Sequence, residues 1–110
     1  MNNNIEQLNR IELCGTIGSI RLNTVGDKRF ANFTLATNYA YRDKEGCPVI
    51  ETTWHSVSAW EGDRICDLDR LVRGCTVHVT GRIRNQRYMN ADGLERTSVI
   101  VLAHSLSLVP

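Results

Sequence analysis

The first apolar alternation of the chain, over residues 8–22, constrains the fold more than any other feature. Ile11 and Leu13 fall on one face of a strand, but after Gly18 the apolar positions change parity to Ile20. Since strand side chains alternate with a period of two, a parity change beside a glycine indicates a β-bulge or a sharp coil. A long strand bent in this way pairs with two different neighbours, as in small barrels.

Three further segments alternate with a period of two, which predicts strands over residues 30–39, 53–60 and 76–88. Residues 96–109 are apolar on both faces, which predicts a last, enclosed strand. Between the third and fourth strands, apolar residues recur at helical spacing between a candidate N-cap and a candidate C-cap. This predicts one helix over residues 63–74, with Asp63, Ile65, Leu68, Leu71, Val72 and Gly74 in those positions.

Five strands with one helix between strands 3 and 4 are the layout of an OB-fold, a five-stranded Greek-key barrel that binds oligonucleotides. The chain has 110 residues, 42% of them hydrophobic, which favours one globular domain. We therefore expect an all-β fold with one helix, in which residues 8–110 form a single OB-fold domain and residues 1–7 form a flexible N-terminus.

Residues 53–60 place two tryptophans on an unusual strand face. Trp54, Ser56, Ser58 and Trp60 alternate with His55 and its smaller apolar neighbours. Because serines mark the solvent side of a half-buried strand, the indoles are predicted to stand on the wet face. A face of this kind suits a flat aromatic ligand, and His55 on the other side is interpreted as a packing or subunit-interface residue.

The strand over residues 76–88 predicts a similar face, because Tyr88 shares its outward parity with Arg82 and Arg84. Aromatic side chains stack on bases, each worth ~1 to 3 kcal/mol, and arginine adds phosphate and cation–π contacts. The combination predicts a platform for single-stranded nucleic acid, since a duplex hides the faces of its bases.

Metal, cofactor and catalytic chemistry are not expected. The four cysteines form no CxxC pair and the three histidines are scattered, whereas structural zinc ligands come in closely spaced pairs. No nucleophile elbow or phosphate loop is present, so no catalytic residues are predicted.

Several short stretches together resemble the bacterial single-stranded DNA-binding protein (SSB) family. They are residues 9–15 (NRIELCG), 33–37 (FTLAT), 41–44 (YRDK), 53–55 (TWH), 71–74 (LVRG) and 79–84 (VTGRIR). The resemblance implies an OB-fold and sequence-independent binding and protection of single-stranded DNA in replication, recombination and repair. It also implies self-association, usually as a homotetramer and otherwise as a homodimer.

The resemblance also transfers roles to individual residues. It implies that the stacking aromatics are Tyr41, Trp54, Trp60 and Tyr88. It implies that the phosphate contacts are Arg42, Lys44, Arg73, Arg84 and Arg87, to which strand parity adds Arg82. Ser56 and Gly62 stand where relatives often carry a basic residue, and Glu61 adds an acid. We therefore expect weaker binding or a shallower salt dependence than in a strongly basic relative.

The sequence ends at Pro110 without the linker and acidic tip that are usual in this family, which predicts a short form without tail-mediated recruitment of repair enzymes. A mobile-element paralogue, a primosomal protein and a truncated version of a longer protein all remain open. No apolar run is long enough to span a membrane and no signal peptide is present, so we expect no membrane partner and a cytoplasmic, nucleoid-associated location. The alternative functions are an RNA-binding or primosomal OB-fold protein and a protein-interaction module that uses the same aromatic face.

Overall fold

Five long strands close into a barrel in the computed structural model, which describes residues 7–110. They lie in the order β1-β2-β3-β5-β4, and β4 returns to pair with β1. This confirms the predicted five-stranded barrel. The flexible stretch expected at residues 1–7 lies, apart from Gln7, outside the described residues. The strands are β1 (Ile11–Val25), β2 (Lys28–Arg42), β3 (Pro48–Trp60), β4 (Thr76–Met89) and β5 (Glu95–Leu108).

The bend predicted in the first strand is present. The pairing register between β1 and β2 shifts between Ile17 and Ile20, at the position of Gly18. The part of β1 before this bulge, from Ile11 to Thr16, pairs with β4, and the part that follows it pairs with β2. One strand therefore serves two neighbours, as the change of apolar parity indicated.

Two antiparallel hairpins supply most of the barrel wall. In one, β2 and β3 pair from Phe30 with Trp60 out to Arg42 with Pro48, and in the other β4 pairs with β5. The two hairpins meet where β3 runs parallel to β5, through the pairs of Val57 with Val101 and Ser58 with Leu102. This short parallel contact closes the barrel, and it is called the seam below.

The core fills the barrel with side chains from every strand and from the segment between β3 and β4. No polar or charged residue of the described chain is buried there. In β3, the side opposite the tryptophans faces the core, as the alternation over residues 53–60 predicted, since Val57 and Ala59 are both buried. The buried residues are Ile17, Ala31, Phe33, Leu35, Val57, Ala59, Leu68, Leu71, Val77, Val79, Val101 and Leu106.

The predicted helix over residues 63–74 is wrong, because the segment contains only a 3-10 turn, Leu68–Arg70. The backbone before this turn lies beside β5: the Leu106 amide donates to the Arg64 carbonyl, and the Cys66 amide donates to the Leu106 carbonyl. Backbone groups bonded to a neighbouring strand are not available for a helix.

The cap and the apolar spacing also fit a 3-10 turn. Asp67 rather than Asp63 is the N-cap, and its side chain accepts from the Asp69 amide. Leu68 and Leu71, three residues apart, are both buried, whereas 56% of Val72 is exposed. In an α-helix Val72 would share the buried face with Leu68, but side chains three apart eclipse one another in a 3-10 turn.

Candidate nucleic-acid interface

Residues of four neighbouring strands share one outer face of the sheet. Ser58 of β3 pairs with Leu102 of β5, which in turn pairs with Arg82 of β4. Directly paired residues point to the same side, so their strand neighbours at every second position do so as well. This surface, called the aromatic face below, consists of Phe30, Asn32 and Thr34 of β2, Trp54, Ser56, Ser58 and Trp60 of β3, Ser98, Ile100 and Leu102 of β5, and Arg82, Arg84, Gln86 and Tyr88 of β4.

Trp60 is stacked on Phe30, its partner across the β2–β3 hairpin. Their ring centroids are 4.5 Å apart with planes at 28°, and 40% of Trp60 remains exposed. An indole fixed on one side by another ring presents its other side to a ligand at a low cost in side-chain entropy. The sequence left the role of Phe30 undecided, because strand parity alone does not show which residues pair across strands.

Glu61 and Arg29 hold the end of β3 against the start of β2, next to Trp60. The Arg29 amide donates to Oε1 of Glu61 at 2.9 Å, and the Glu61 amide donates to the Arg29 carbonyl at 3.0 Å. The Arg29 guanidinium also donates to both carboxylate oxygens of Asp69, at 2.6 and 3.2 Å. Glu61 is therefore an acidic group near the face whose side chain also stabilises the pairing of β2 with β3.

The Arg29 and Asp69 pair shifts the titration of both partners. The hydrogen bonds from Arg29 and its charge lower the pKa of the Asp69 carboxyl, since both favour the ionised form. The same contacts raise the pKa of Arg29. The pair ties the 3-10 turn to β2 and lies outside the aromatic face.

Trp54 lies over the bulge of β1. A β-carbon placed on Gly18 would be 2.5 Å from the six-membered ring of Trp54, so the glycine leaves the space that the indole occupies. Trp54 is 60% exposed and stands on the same face as Trp60, with Ser56 and Ser58 between them. Sequence parity correctly placed both tryptophans on the outer side of β3.

A groove of about 550 Å³ runs across the aromatic face. Its apolar lining includes Phe30 and Trp60, and Ile100 and Leu102 of β5. Its polar lining is mostly neutral, and its charged residues are two arginines, one from β1 and one from β4. The polar side chains of the groove are Ser19, Arg21, Asn32, Thr34, Ser56, Ser58, Arg84, Gln86 and Ser98.

The two tyrosines predicted to stack lie on the ends of the two hairpins that are far from the seam, which are called the arms below. Tyr88, 49% exposed, has the parity of Arg84 and therefore belongs to the aromatic face. Tyr41 lies near the end of β2 rather than in a loop, and it pairs with Val49. Its parity is opposite to that of the tryptophans, and its ring is 6.1 Å from that of Tyr39. The structure therefore groups Tyr88, but not Tyr41, with Trp54 and Trp60.

The six cations predicted to contact phosphates are all exposed, but they occupy different positions. Arg84 lies in the groove and Arg82 on the same face. Arg87 has the opposite parity, and its guanidinium is 3.5 Å from the Glu95 carboxylate. The guanidinium of Arg42 donates to the Gly46 carbonyl at 2.8 Å. Lys44 lies in the β2–β3 loop and Arg73 follows the 3-10 turn.

Sequence reasoning missed Arg21 and Asn32, which pair with one another across β1 and β2 and line the groove. Both stand on strands whose parity was recognised. Asn32 lies between Phe30 and Phe33 in the sequence, but neither it nor Arg21 carries an aromatic ring, so neither was counted among the stacking residues. The register of β1 against β2 places Arg21 beside Asn32, and the register of β2 against β3 places Asn32 beside Ser58.

His55 points away from the aromatic face and is half-buried. Its Nε2 shares a hydrogen bond of 2.9 Å with Oγ1 of Thr37. With Ile83 and Val99 it lines a second, smaller cavity of about 180 Å³. Ile83 pairs with the buried Val101, and Val99 has the same parity, yet both side chains remain exposed.

All four cysteines are free. Asp43, Glu45 and Cys47 lie close together in the β2–β3 loop, where one Asp43 carboxylate oxygen accepts from the amides of Glu45 and Cys47. These bonds shape an exposed turn.

Within residues 7–110, no helix is both long and apolar enough to span a membrane.

Comparisons with known proteins match nearly the whole chain. Residues 8–109 match the model of the single-strand binding protein family. A single-stranded DNA-binding protein of Neisseria meningitidis is 29% identical over 105 residues, a match that spans 93% of this chain and 60% of that protein. The chain thus spans about three fifths of the length of this relative.

Two solved structures share the fold. A Plasmodium falciparum SSB in complex with single-stranded DNA has a TM-score of 0.74 at 23% identity, and the match covers 97% of this chain and 99% of that one. A deletion mutant of the single-stranded DNA binding protein from Thermus aquaticus also has a TM-score of 0.74, at 24% identity, and covers 94% of this chain and 51% of that one. Both confirm the OB-fold that the strand order predicted.

Proposed function

The chain belongs to the single-strand binding protein family, and on that premise we propose that it binds single-stranded DNA independently of base sequence and protects it. The supporting observation is the aromatic face, where Trp54 and Trp60 stand exposed beside a largely neutral groove. Bases stack on such rings whatever their identity, and the phosphates stay in solvent beside the arginines.

The stacking residues of this proposal are Trp54, Trp60 and Tyr88 on the face and Tyr41 on the β2–β3 arm. Trp60 contributes most, because Phe30 already holds one side of its ring. Among the cations, Arg82 and Arg84 are the foremost phosphate contacts on the face. Arg87 contributes less, since it faces the other way and lies near Glu95. Arg42, Lys44 and Arg73 extend the positive surface along the arm and the turn.

The biological role proposed with this binding is the family's role in replication, recombination and repair, without a catalytic step and in the cytoplasm with the nucleoid. Self-association, as a homotetramer or a homodimer, belongs to the same proposal. The exposed apolar side chains of Ile83 and Val99, which line a cavity with His55 and have the opposite parity to the aromatic face, support it. Sedimentation of the protein alone and with DNA measures the assembly.

The test of function is a titration followed by tryptophan fluorescence. An oligo-dT of about 15 nucleotides, close to the site size of one OB-fold, is compared with a duplex and with oligo-U of equal length. We expect strong quenching by oligo-dT and little by the duplex. Trp60→Ala should weaken binding by about 5- to 10-fold, whereas Trp60→Phe should restore most of it. Absence of quenching at low salt would sink the proposal, and a clear preference for oligo-U would redirect it to RNA.

A further inference from the structure

The middle of the groove has an apolar floor with different hydrogen-bonding groups on its two sides. Ile100 and Leu102 belong to β5, which lies between β3 and β4 in the barrel. On the β3 side stand Ser56 and Ser58, and on the β4 side stands Arg84. A flat base can lie on this floor with one edge toward the serines and another toward the arginine.

The polar groups around this floor are free to bind a ligand. The Thr34 hydroxyl accepts from the Ser19 amide. By contrast, none of the hydrogen bonds formed within residues 7–110 involves the side chains of Asn32, Ser58 or Arg84. These groups therefore offer their bonds to solvent or to a ligand, and the apolar floor favours a ligand that displaces the water.

The two sides differ in what they can do. A guanidinium has five N–H donors and no acceptor, so Arg84 demands acceptors from a ligand. Serine hydroxyls and the amide oxygen of Asn32, which pairs with Ser58 across β2 and β3, can accept. A base that fits must present acceptors on the edge that faces β4 and donors on the edge that faces β3.

Guanine meets this requirement. Its O6 and N7 are adjacent acceptors that match the fork of an arginine, and its N1–H and exocyclic N2–H₂ are donors on a neighbouring edge. Adenine and thymine do not present two adjacent acceptors, and cytosine keeps its donor on the same edge as its acceptors. Ser58 lies across from Arg82, and Arg84 is two residues further along β4. Two strand spacings and this two-residue step put roughly 12 Å between the backbones of Ser58 and Arg84, which a base with a hydrogen bond on either side can span.

We propose that this part of the groove is a guanine-preferring subsite, in which Arg84 donates to O6 and N7 while Ser58 and Asn32 accept from N1–H and N2–H₂. The inference rests on the proposed function, because the guanine is one nucleotide of a bound single strand. It adds a base preference at one position to binding that is otherwise indifferent to sequence. Arg84 contacts a base when a guanine occupies the subsite and a phosphate, as proposed above, when it does not.

The test is competition for a dye-labelled oligo-dT, because displacement does not depend on how strongly each base quenches tryptophan. The competitors are unlabelled oligo-dT of about 15 nucleotides and the same strand with one central guanine, adenine or cytosine. A single guanine avoids structures that guanine runs form. We expect the guanine strand to compete at least about fivefold better than oligo-dT, and the other two to match oligo-dT.

Two variants locate the preference. Arg84→Lys keeps the charge but loses the fork, so the guanine-to-thymine affinity ratio should fall close to one. Arg70→Lys, on the 3-10 turn and outside the groove, should keep the wild-type ratio. Ser58→Ala, which removes one acceptor, should lower the ratio without removing the charge.

The outcomes separate the two proposals. Equal competition by all four strands would overturn the guanine subsite and leave single-strand binding intact. A guanine preference that survives in Arg84→Lys would likewise overturn the subsite without affecting the proposed single-strand binding. An equal gain with cytosine would assign Arg84 to a pyrimidine edge and would also overturn it. Failure of labelled oligo-dT itself to bind would overturn the proposed function, and the subsite with it.

Discussion

Gly18 and Trp54 are a pair in which the smaller residue determines where the larger side chain can lie. Because a β-carbon at Gly18 would stand 2.5 Å from the indole, any side chain there must displace the ring. Local alternation predicted that Trp54 is exposed, but only the register of β1 shows that it rests on the bulge. The pairing of Phe30 with Trp60 was likewise hidden, since cross-strand contacts depend on turns and bulges far away in the sequence.

Gly18→Ala should therefore weaken binding of single-stranded DNA by roughly fivefold, the lower end of the value of one stacked base. Competition with labelled oligo-dT measures the affinity, and a shift in tryptophan emission reports the displaced ring. Gly62→Ala is the matched control, because a β-carbon at Gly62 meets nothing within 4 Å. Equal affinities for the two variants would show that the position of Trp54 does not matter for binding.

The Arg29 and Asp69 pair predicts a pH dependence of stability at the level of single residues. Folding lowers the pKa of Asp69, so its contribution to stability is present above the pKa of the unfolded state. The contribution is lost as the pH falls through the lowered pKa of the folded protein. Arg29→Gln should thus destabilise the protein at neutral pH and have a smaller effect in strong acid.

Urea denaturation at pH 7 and in strong acid measures this difference, and both side chains are exposed enough that we expect it to be small. Arg70→Gln is the control, because Arg70 belongs to the same turn but forms no ion pair within residues 7–110. A destabilisation by Arg29→Gln that is independent of pH would assign its effect to packing rather than to the charge of Asp69.

At the scale of elements, the segment between β3 and β4 shows where apolar spacing is ambiguous. Leucines three residues apart satisfy an α-helix and a 3-10 turn equally well, and the sequence indicated Asp63 as the cap, whereas Asp67 takes that role. What decides between them is the bonding of Arg64 and Cys66 to Leu106, which is 40 residues or more away in sequence. Most of the strands were predictable because alternation over eight or more residues has no such rival interpretation.

The 3-10 turn makes opposite predictions for two neighbouring apolar residues. Leu68→Ala should cost about 2 to 5 kcal/mol, because Leu68 is almost fully buried in the core. Val72→Ala should change the free energy of unfolding by no more than about 0.5 kcal/mol, because most of Val72 is exposed. Urea denaturation measures both. Similar losses at the two positions would instead favour a helix in solution.

At the scale of the whole molecule, charge is sparse on the binding face. The sequence has a net charge of +1, and the charged residues that line the groove are Arg21 and Arg84. Each phosphate contact on a single strand contributes ~0.7 to the slope of log affinity against log salt. We therefore expect a shallower slope than that of a more basic relative measured in parallel.

A designed cation tests the same idea in this chain. Ser56→Lys puts a positive charge on the aromatic face and should steepen the slope by about 0.7. Val72→Lys adds the same charge away from the face and should leave the slope nearly unchanged. If both variants steepen the slope equally, net charge rather than the face would govern the salt dependence.

The seam between β3 and β5 has a consequence for how the barrel forms. Each hairpin joins residues that are close in sequence, whereas Val57 and Val101 meet across more than 40 intervening residues. Contacts of such separation must overcome the entropy of a large loop, so they slow folding and are expected to form late. We thus expect refolding on a timescale of roughly milliseconds to seconds, with two preformed hairpins docking last. In the native protein the same short seam is where the barrel wall should open first and exchange its amide hydrogens soonest.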